Sequence, residues 1–453
     1  MIRQPARVFS AQTSPRALRQ TFLTHVKGRT ATGKDGVSPD LLVANLGKEC
    51  ELISRRLRSG NYTFTPYKQL LKSKGANKVP RVISIPTARD RIALRALAEV
   101  LKGSFELTHL EPAPFKVSKL KAVLASEAHS AYVRVDIKDF YPSISQRTLM
   151  QSLRTRIRKP EILSALQSAC STPTVGARAK SPTSRSWEGV PQGLSISNLL
   201  AEINMLSVDA AFVGDNEVSY FRYVDDIIIL CNESQQDAID TRIRRALLNV
   251  DLTAHPVGDK SKSHLGLIAD GFEYLGFKFT SSSVSIRDSS VHNIEHSLAR
   301  TFTAYKYAVR KNPPRGFTDA TWRDQCLNVL QWRLNLLITG CIIDQSRRGW
   351  LGFFSRMDDR ALLKRLDTQV RRLVRRHDVV QEIQPKLFTS TFWAINQPSE
   401  RRMAYIPNYD IMGADEMRRT LRLIFGIDLP PATQTEDVRA RLKMCMQGLL
   451  REL

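Results

Sequence analysis

The chain has 453 residues, 42% of them hydrophobic, which is enough for several buried cores and suggests about three domains. Lys and Arg outnumber Asp and Glu by 68 to 44, and a formal charge of +24 points to a polyanionic partner, nucleic acid ahead of an anionic membrane surface. No apolar run reaches the roughly 18–20 residues needed to cross a bilayer, and six cysteines without a CxxC pair exclude a zinc knuckle or a disulfide framework, so a reducing cytoplasm is expected.

The first 34 residues carry Arg and Lys but no Asp or Glu, a composition shared by organellar transit peptides and by RNA-binding arms, of which the arm is the better reading. A helix is predicted from 37 to about 60, with Leu41, Leu42, Leu46, Leu52, Ile53 and Leu57 near helical spacing and a turn at Ser59-Gly60-Asn61. A basic stretch from Lys68 leads into the alternating run Arg81-Val82-Ile83-Ser84-Ile85-Pro86, a strand stopped by proline, and Asp90 to Leu101 is helical by periodicity. Residues 131–137 alternate, placing Val133 and Val135 on one face and Tyr132, Arg134 and Asp136 on the other. Residues 219–230 form two β-rich runs around Val224-Asp225-Asp226, predicting a tight hairpin with acids at its tip. A further β-rich segment spans 272–280. Beyond about 284 basic amphipathic helices take over, with Leu363, Leu366, Val370, Leu373 and Val374 on one stripe and Arg371, Arg372, Arg375 and Arg376 largely off it. The longest apolar candidate, around 327–343, is interrupted by Gln331, Arg333 and Asn335. Pro430-Pro431 marks a break before a short final helix.

Two acids at a hairpin tip and a third at the end of another strand are hard oxygen ligands from separate elements, the set that a two-metal site requires. Taken alone, an Asp-Asp pair is most often a solvated turn, which Asp favours. His292-Asn293-Ile294-Glu295-His296 fits the H-x-x-E-H pattern of zinc peptidases, but it lacks a third ligand, and no cysteine has a partner that would make it a nucleophile.

The surroundings of the acid pair decide between these readings. Phe221-Arg222-Tyr223-Val224-Asp225-Asp226, followed by four apolar residues, resembles the YxDD box of reverse transcriptases, and the other boxes of that family appear in the correct order along the chain. Val135-Asp136-Ile137-Lys138-Asp139-Phe140-Tyr141-Pro142-Ser143-Ile144 resembles its first palm motif, in which the leading Asp binds metal and the aromatic at Tyr141 excludes ribonucleotides. Gly189-Val190-Pro191-Gln192-Gly193-Leu194-Ser195-Ile196-Ser197-Asn198 is similar to the PQG box beneath template and nucleotide. Gly33-Lys34-Asp35-Gly36-Val37 resembles the N-terminal GxDG turn, Asp259-Lys260-Ser261-Lys262 a later palm motif, and Phe272 to Phe277 the primer-grip hairpin.

The resemblance covers about residues 33 to 280. It implies an α+β right-hand polymerase with an antiparallel palm sheet, helical fingers and a helical thumb. The expected divisions are 1–95 for the N-terminal region and fingers, 96–283 for the palm with a fingers insertion at about 145–188, 284–383 for the basic thumb, and 384–453 for an extension of unknown role. Catalysis is assigned to Asp136, Asp225, Asp226 and Lys260, the last as a donor to departing pyrophosphate. Two Mg2+ ions, with Mn2+ as an alternative, fall to Asp136, Ile137, Asp225 and Asp226. Nucleotide binding falls to Arg81, Lys72, Lys74, Lys78, Tyr141 and Gln192, and template or primer contact to Gly193, Tyr223, Tyr274, Leu275, Gly276, Arg371, Arg372, Arg375 and Arg376.

No ribonuclease H, integrase, protease or H-N-H segment is evident. The run from Pro191 to Asn198, followed by Leu-Leu-Ala-Glu, resembles the bacterial antiphage defence reverse transcriptases of the unknown-group or abortive-infection-like branch. Leu337 to Cys341 and Gly349 to Phe354 resemble members of that branch, the type 3 system among them. Retron enzymes share the first palm motif, but Ile338-Thr339-Gly340 lies later than their VTG box. The partners implied are a noncoding RNA template or scaffold, deoxynucleotides and a DNA product, with a second defence protein or another copy of the chain as further candidates and no membrane. A group II intron-like enzyme, an RNA polymerase and a noncatalytic RNA-binding scaffold are the remaining alternatives.

Overall fold

The computed structural model describes the chain apart from residues 1–3, 29–30, 74, 76–78, 108–109, 180–185, 259–260, 281–282, 398–399, 401–403 and 450–453. It forms two compact units, one of Met1–Glu111 and Glu127–Leu267, the other of Pro112–Ser126 and Ile268–Leu453.

The first unit opens with α1 (Pro5–Gln12), α2 (Pro15–Thr21) continued by a π-turn, α3 (Pro39–Leu42) and α4 (Leu46–Arg58). Each of α1, α2 and α3 starts on proline, whose missing N–H costs nothing at a helix's first position. The single helix predicted from 37 is therefore two. A 3-10 turn at Val43–Asn45 separates them, with Asn45 at φ −117° outside the helical region. Next comes α5 (Ala88–Ser104), capped by the Thr87 hydroxyl and buried on most sides. β1 (Tyr67–Lys72) and β2 (Arg81–Ile85) pair antiparallel, and the short β4 (Thr174–Val175) joins β1. The start of the basic stretch, up to Lys72, is thus a strand that the sequence reading did not anticipate. Its Leu70 and Leu71 are both more than half exposed, so β1 lacks the apolar alternation that identifies a strand.

The centre of this unit is an antiparallel sheet of β3 (Ala131–Asp136), β5 (Ser219–Tyr223), β6 (Asp226–Cys231) and β7 (His264–Leu267), in the order β5-β6-β3-β7. Val133, Val135, Ile227 and Ile229 lie in the buried core of one face, as the alternation requires. Against that core pack Leu200 and Ile203 of α10 (Ser197–Ala210) and Ile239, Ile243 and Leu247 of α11 (Gln236–Leu248). Between β3 and α10 run α7 (Phe140–Ser143), α8 (Gln146–Arg154) and α9 (Pro160–Ser171). This mixture of helices and antiparallel sheets is the expected α+β class.

The second unit holds α6 (Ala113–Leu124) and an antiparallel sheet of β8 (Phe272–Tyr274), β9 (Phe277–Phe279) and β10 (Val284–Ile286). The Asp358 carboxylate ties two of these together, accepting from Lys121 Nζ at 2.5 Å and from the Val284 amide at 2.7 Å. Long helices α12 (Asp288–Val309) and α13 (Asp319–Thr339) lead to the hairpin β11 (Cys341–Ile343) and β12 (Ser346–Arg348), then α14 (Trp350–Phe353), α15 (Arg360–Arg376) and α16 (Phe388–Asn396). Gly340 and Gly349 let the two ends of that hairpin approach, since a Cβ on Gly349 would lie 2.5 Å from the Gly340 Cα. After Pro430-Pro431 the final helix, Thr435–Leu449, runs 15 residues and is not the short one predicted. Its Val438, Leu442 and Met446 share a core with Met417, Leu421, Leu336, Cys341 and Ile343, so part of the extension of unread role is packed against α13 and β11. Among the described residues no helix is long and apolar enough to cross a membrane.

Candidate active site

Antiparallel register sets Asp136, the last residue of β3, directly opposite Asp226, the first residue of β6. Directly opposed residues project from the same face with Cβ atoms about 4.5–5.5 Å apart, so the two carboxylates share one surface. Asp225 belongs to the turn between β5 and β6, which Val224 enters at φ +59°. A valine held in the left-handed region is strained and persists only where its surroundings fix it. They do so here through Arg222, which is fully buried and donates to the Val224 carbonyl at 3.1 Å. The same guanidinium bonds Asp209 at 2.7 and 2.6 Å and Glu202 at 3.1 and 2.8 Å. Both acids sit on α10, seven residues and two turns apart on one helix face. Arg222 thereby fastens the acidic hairpin to the helix that follows the PQG segment.

Cations already sit on two of the three acids. Lys262 Nζ stands 3.0 Å from Asp136 Oδ2, with His255 Nε2 3.5 Å from the same oxygen. Arg134 meets Asp226 through two bonds of 3.2 Å. The Asp136 main chain is pinned as well, its amide donating to Ser263 Oγ at 3.0 Å and its carbonyl accepting from the His255 amide at 2.9 Å. Burial pushes the Asp225 carboxyl up, and the charge on Asp136 adds to the effect. Burial does the same to Asp226, with Arg134 pulling back and Asp136 and Asp225 pushing further. Three crowded carboxylates that attract lysine and arginine fit a divalent cation chemically. Among the described residues no group of three or more His, Cys, Asp or Glu side chains is already set around a metal position.

Of the nucleotide set, Arg81 begins β2 opposite Lys72 of β1, and both are exposed. The Arg81 charge reaches both Asp225 and Tyr141. Tyr141 donates to Asn198 Oδ1 at 2.6 Å, and burial, reinforced by Asp225 and Glu202, pushes its hydroxyl up to about 12. Gln192 accepts at its main-chain carbonyl from the Ser84 amide at 2.6 Å. Gly193 takes φ +101°, and a Cβ there would come within 2.7 Å of Ile83 Cγ2, so the PQG loop lies against β2. Lys74, Lys78 and Lys260 lie outside the described residues. Ile137 is buried at a bridge to Ala254, and Tyr223 lies directly across from Asp226.

The remaining predicted contacts belong to the second unit. Tyr274, expected at template or primer, is completely buried. Leu275 and Gly276, at φ +51° and +82°, form the tight turn of that hairpin and remain partly exposed. Arg371, Arg372, Arg375 and Arg376 are exposed on α15, opposite buried Leu363, Leu366, Val370 and Val374. His292 and His296 are exposed on α12 and gather no metal-binding group among the described residues. Burial pushes the Cys50 and Cys231 thiols up to about 11 and those of Cys170 and Cys341 to about 12, so they stay protonated at neutral pH.

Sequence reasoning missed Lys262 as the partner of Asp136, and it missed the Arg222, Glu202 and Asp209 cluster. A signal for the cluster existed. An arginine on the core-facing register of a strand must find buried partners, and two acids seven residues apart on a helix supply them.

Residues 71–279 match the family described as reverse transcriptase (RNA-dependent DNA polymerase). No protein of curated function matches the chain in sequence. Among solved structures, apo telomerase from Candida tropicalis, truncated from its C-terminal domain, is similar at 15% identity and a TM-score of 0.38 over 49% of this chain, which spans 55% of that one. Telomerase from Candida albicans, in complex with a fragment of telomeric RNA, is similar at 13% identity and a TM-score of 0.42, covering 91% of this chain and 68% of that one.

Proposed function

We propose, from the premise that residues 71–279 are a reverse transcriptase domain, hence an RNA-directed DNA polymerase and a nucleotidyltransferase, that Asp136, Asp225 and Asp226 are its metal-binding centre. The observation that carries the assignment is the register, which opposes Asp136 to Asp226 at the strand ends with Asp225 in the adjoining turn. Held there, two Mg2+ ions, or Mn2+, would activate an attacking 3'-hydroxyl and offset charge on the departing pyrophosphate.

The chain's own residues do the rest. Arg81 and Lys72 grip the triphosphate, Arg81 as a fork to two oxygens and Lys72 as a point charge. Tyr141, held by Asn198, occupies the space of a ribose 2'-hydroxyl and favours deoxynucleotides. The Gln192-Gly193 loop supports template and nucleotide from its position against β2. Lys262 neutralises Asp136 until metal arrives, and it joins Lys260 as a candidate donor to pyrophosphate. In the second unit the Leu275-Gly276 turn meets the primer, and the α15 arginines track backbone phosphates.

An RNA template and a DNA product follow from the domain. The finer reading, a dedicated noncoding RNA copied in bacterial antiphage defence, is supported by the likeness of residues 191–202 to that branch. Fingers, palm, thumb and extension remain the proposed divisions. Incorporation of deoxynucleotides by the purified protein with its copurifying RNA tests the activity, and Asp225→Ala with Asp226→Ala should abolish it. Equal incorporation by that variant would sink the metal assignment. Sequencing the copurifying RNA and DNA tests the defence reading, which predicts one dominant noncoding RNA.

A further inference from the structure

In the second unit, α15 and α16 enclose a groove of about 560 Å3 lined by Arg360, Lys364, Asp367, Arg371, Phe392 and Trp393. Arg360, Lys364 and Arg371 are all exposed and fall on one side of α15 at helical spacing, spanning about 16 Å of axis. None of the three has an ion-pair partner among the described residues. The groove's acid does not serve them. Asp367 is 3% exposed, and its carboxylate accepts from the Phe388 amide at 2.6 Å, the Thr389 amide at 3.3 Å and the Thr389 hydroxyl at 2.7 Å, which anchors the start of α16.

Trp393 is 41% exposed, and the Arg360 guanidinium lies 5.2 Å over its ring. An exposed aromatic ring beside cations that have no ion-pair partner offers a stacking surface and positive charge together, which suits a ligand that brings both a flat π-surface and negative charge. Unpaired nucleotides bring both. A duplex offers only its phosphates, because its base faces are already stacked on one another.

We propose that this groove binds an unpaired nucleic-acid strand, one base stacked on Trp393 and the neighbouring phosphates held by Lys364 and Arg371. Arg360 either moves to a phosphate or stacks on the base from its other side, since an exposed cation–π contact is weak enough to yield. The inference rests on the nucleic-acid function proposed above and extends it to a groove built from residues of the second unit alone. Both the RNA partner and the DNA product have this chemistry.

The test uses the full chain with unstructured ten-nucleotide ribo- and deoxyribo-oligonucleotides and a duplex of equal length. The strand should quench indole fluorescence. Trp393→Phe should keep the affinity and lose most of that quench, while Trp393→Ala should weaken strand binding about tenfold and leave duplex binding unchanged. Lys364→Ala with Arg371→Ala should flatten the salt slope by about 1.4, as for two phosphates of a single strand. Tighter binding of the ribo- or the deoxyribo-strand assigns the groove to template or to product. Unchanged quenching in Trp393→Phe, or equal loss of strand and duplex binding in Trp393→Ala, overturns the proposal. Primed incorporation should persist in Trp393→Ala, so failure of the polymerase reading, seen with the Asp225 and Asp226 variants, remains separable from failure of this one.

Discussion

Arg222 and Asp209 meet through two parallel hydrogen bonds of 2.7 and 2.6 Å, with neither side chain open to solvent, and this pair connects the turn bearing Asp225 to α10. Arg222 is a positioning residue, since it reaches the carboxylates only through the Val224 carbonyl. Five donor contacts to three acceptor groups leave the strained turn little freedom to relax.

Arg222→Met should therefore strand two buried carboxylates and destabilise the protein by roughly 3–5 kcal/mol. Adding Glu202→Gln and Asp209→Asn should restore part of that stability without restoring incorporation, because Val224 stays unanchored. Thermal melts and incorporation at a temperature where all variants are folded separate the two effects. Full activity in the folded triple variant would mean that the turn holds itself.

Tyr141 allows a test of sugar selection. Tyr141→Ala opens the space beside Asn198 and should raise ribonucleotide use relative to deoxynucleotide use. Tyr141→Phe keeps the ring and loses one hydrogen bond, worth about 0.5–1.5 kcal/mol, so its discrimination should stay near that of the wild type. Competition between the two nucleotide types reads this directly, and unchanged discrimination in Tyr141→Ala would remove the residue from the role.

The strands of the central sheet were legible because each shows its own signal. Residues 131–137 alternate, and two β-rich runs flank a tight acidic turn. What brings Asp136 opposite Asp226 is a pairing across some ninety positions that no local pattern encodes. The same limit explains Lys262. In Lys260-Ser261-Lys262 the two lysines are equivalent by local pattern, and only the pairing of β7 on β3 brings Lys262 to Asp136. The primer-grip segment shows a different limit: Phe272, Tyr274, Phe277 and Phe279 are all buried, so aromatic content does not show which residues face outward. In the final helices the apolar stripe is visible, but its partners on α13 and β11 lie about a hundred residues upstream.

Lys262 should compete with divalent metal for Asp136. Its side chain is 68% exposed, so the pair is worth at most about 1 kcal/mol, or about fivefold in affinity. Lys262→Ala should accordingly lower the Mg2+ concentration that half-saturates the rise in Tm by up to that factor. If Lys262 also protonates the leaving group, maximal incorporation falls in the same variant. An unchanged metal midpoint would show that the ammonium does not contend for the site.

Asp90 offers a pH signature distinct from Asp136, Asp225 and Asp226. It is 1% exposed and accepts from Tyr62 Oη at 3.0 Å, Thr87 Oγ1 at 2.8 Å and the Thr65 amide at 3.1 Å. Burial raises its carboxyl, and these hydrogen bonds return only part of the shift. The native state therefore holds this proton more tightly than the unfolded chain does. Below the unfolded value of about 3.9 both states are protonated, and Asp90's contribution to stability is complete. As pH rises from there through the raised native value, the unfolded chain releases its proton first and that contribution is lost. Asp90→Asn cannot titrate, so its stability relative to wild type should improve across that window, on top of a constant cost of about 1–3 kcal/mol for the altered hydrogen bonding. Urea midpoints for both proteins from pH 4 to 7 measure the difference, and a difference that does not change with pH would place the titration elsewhere.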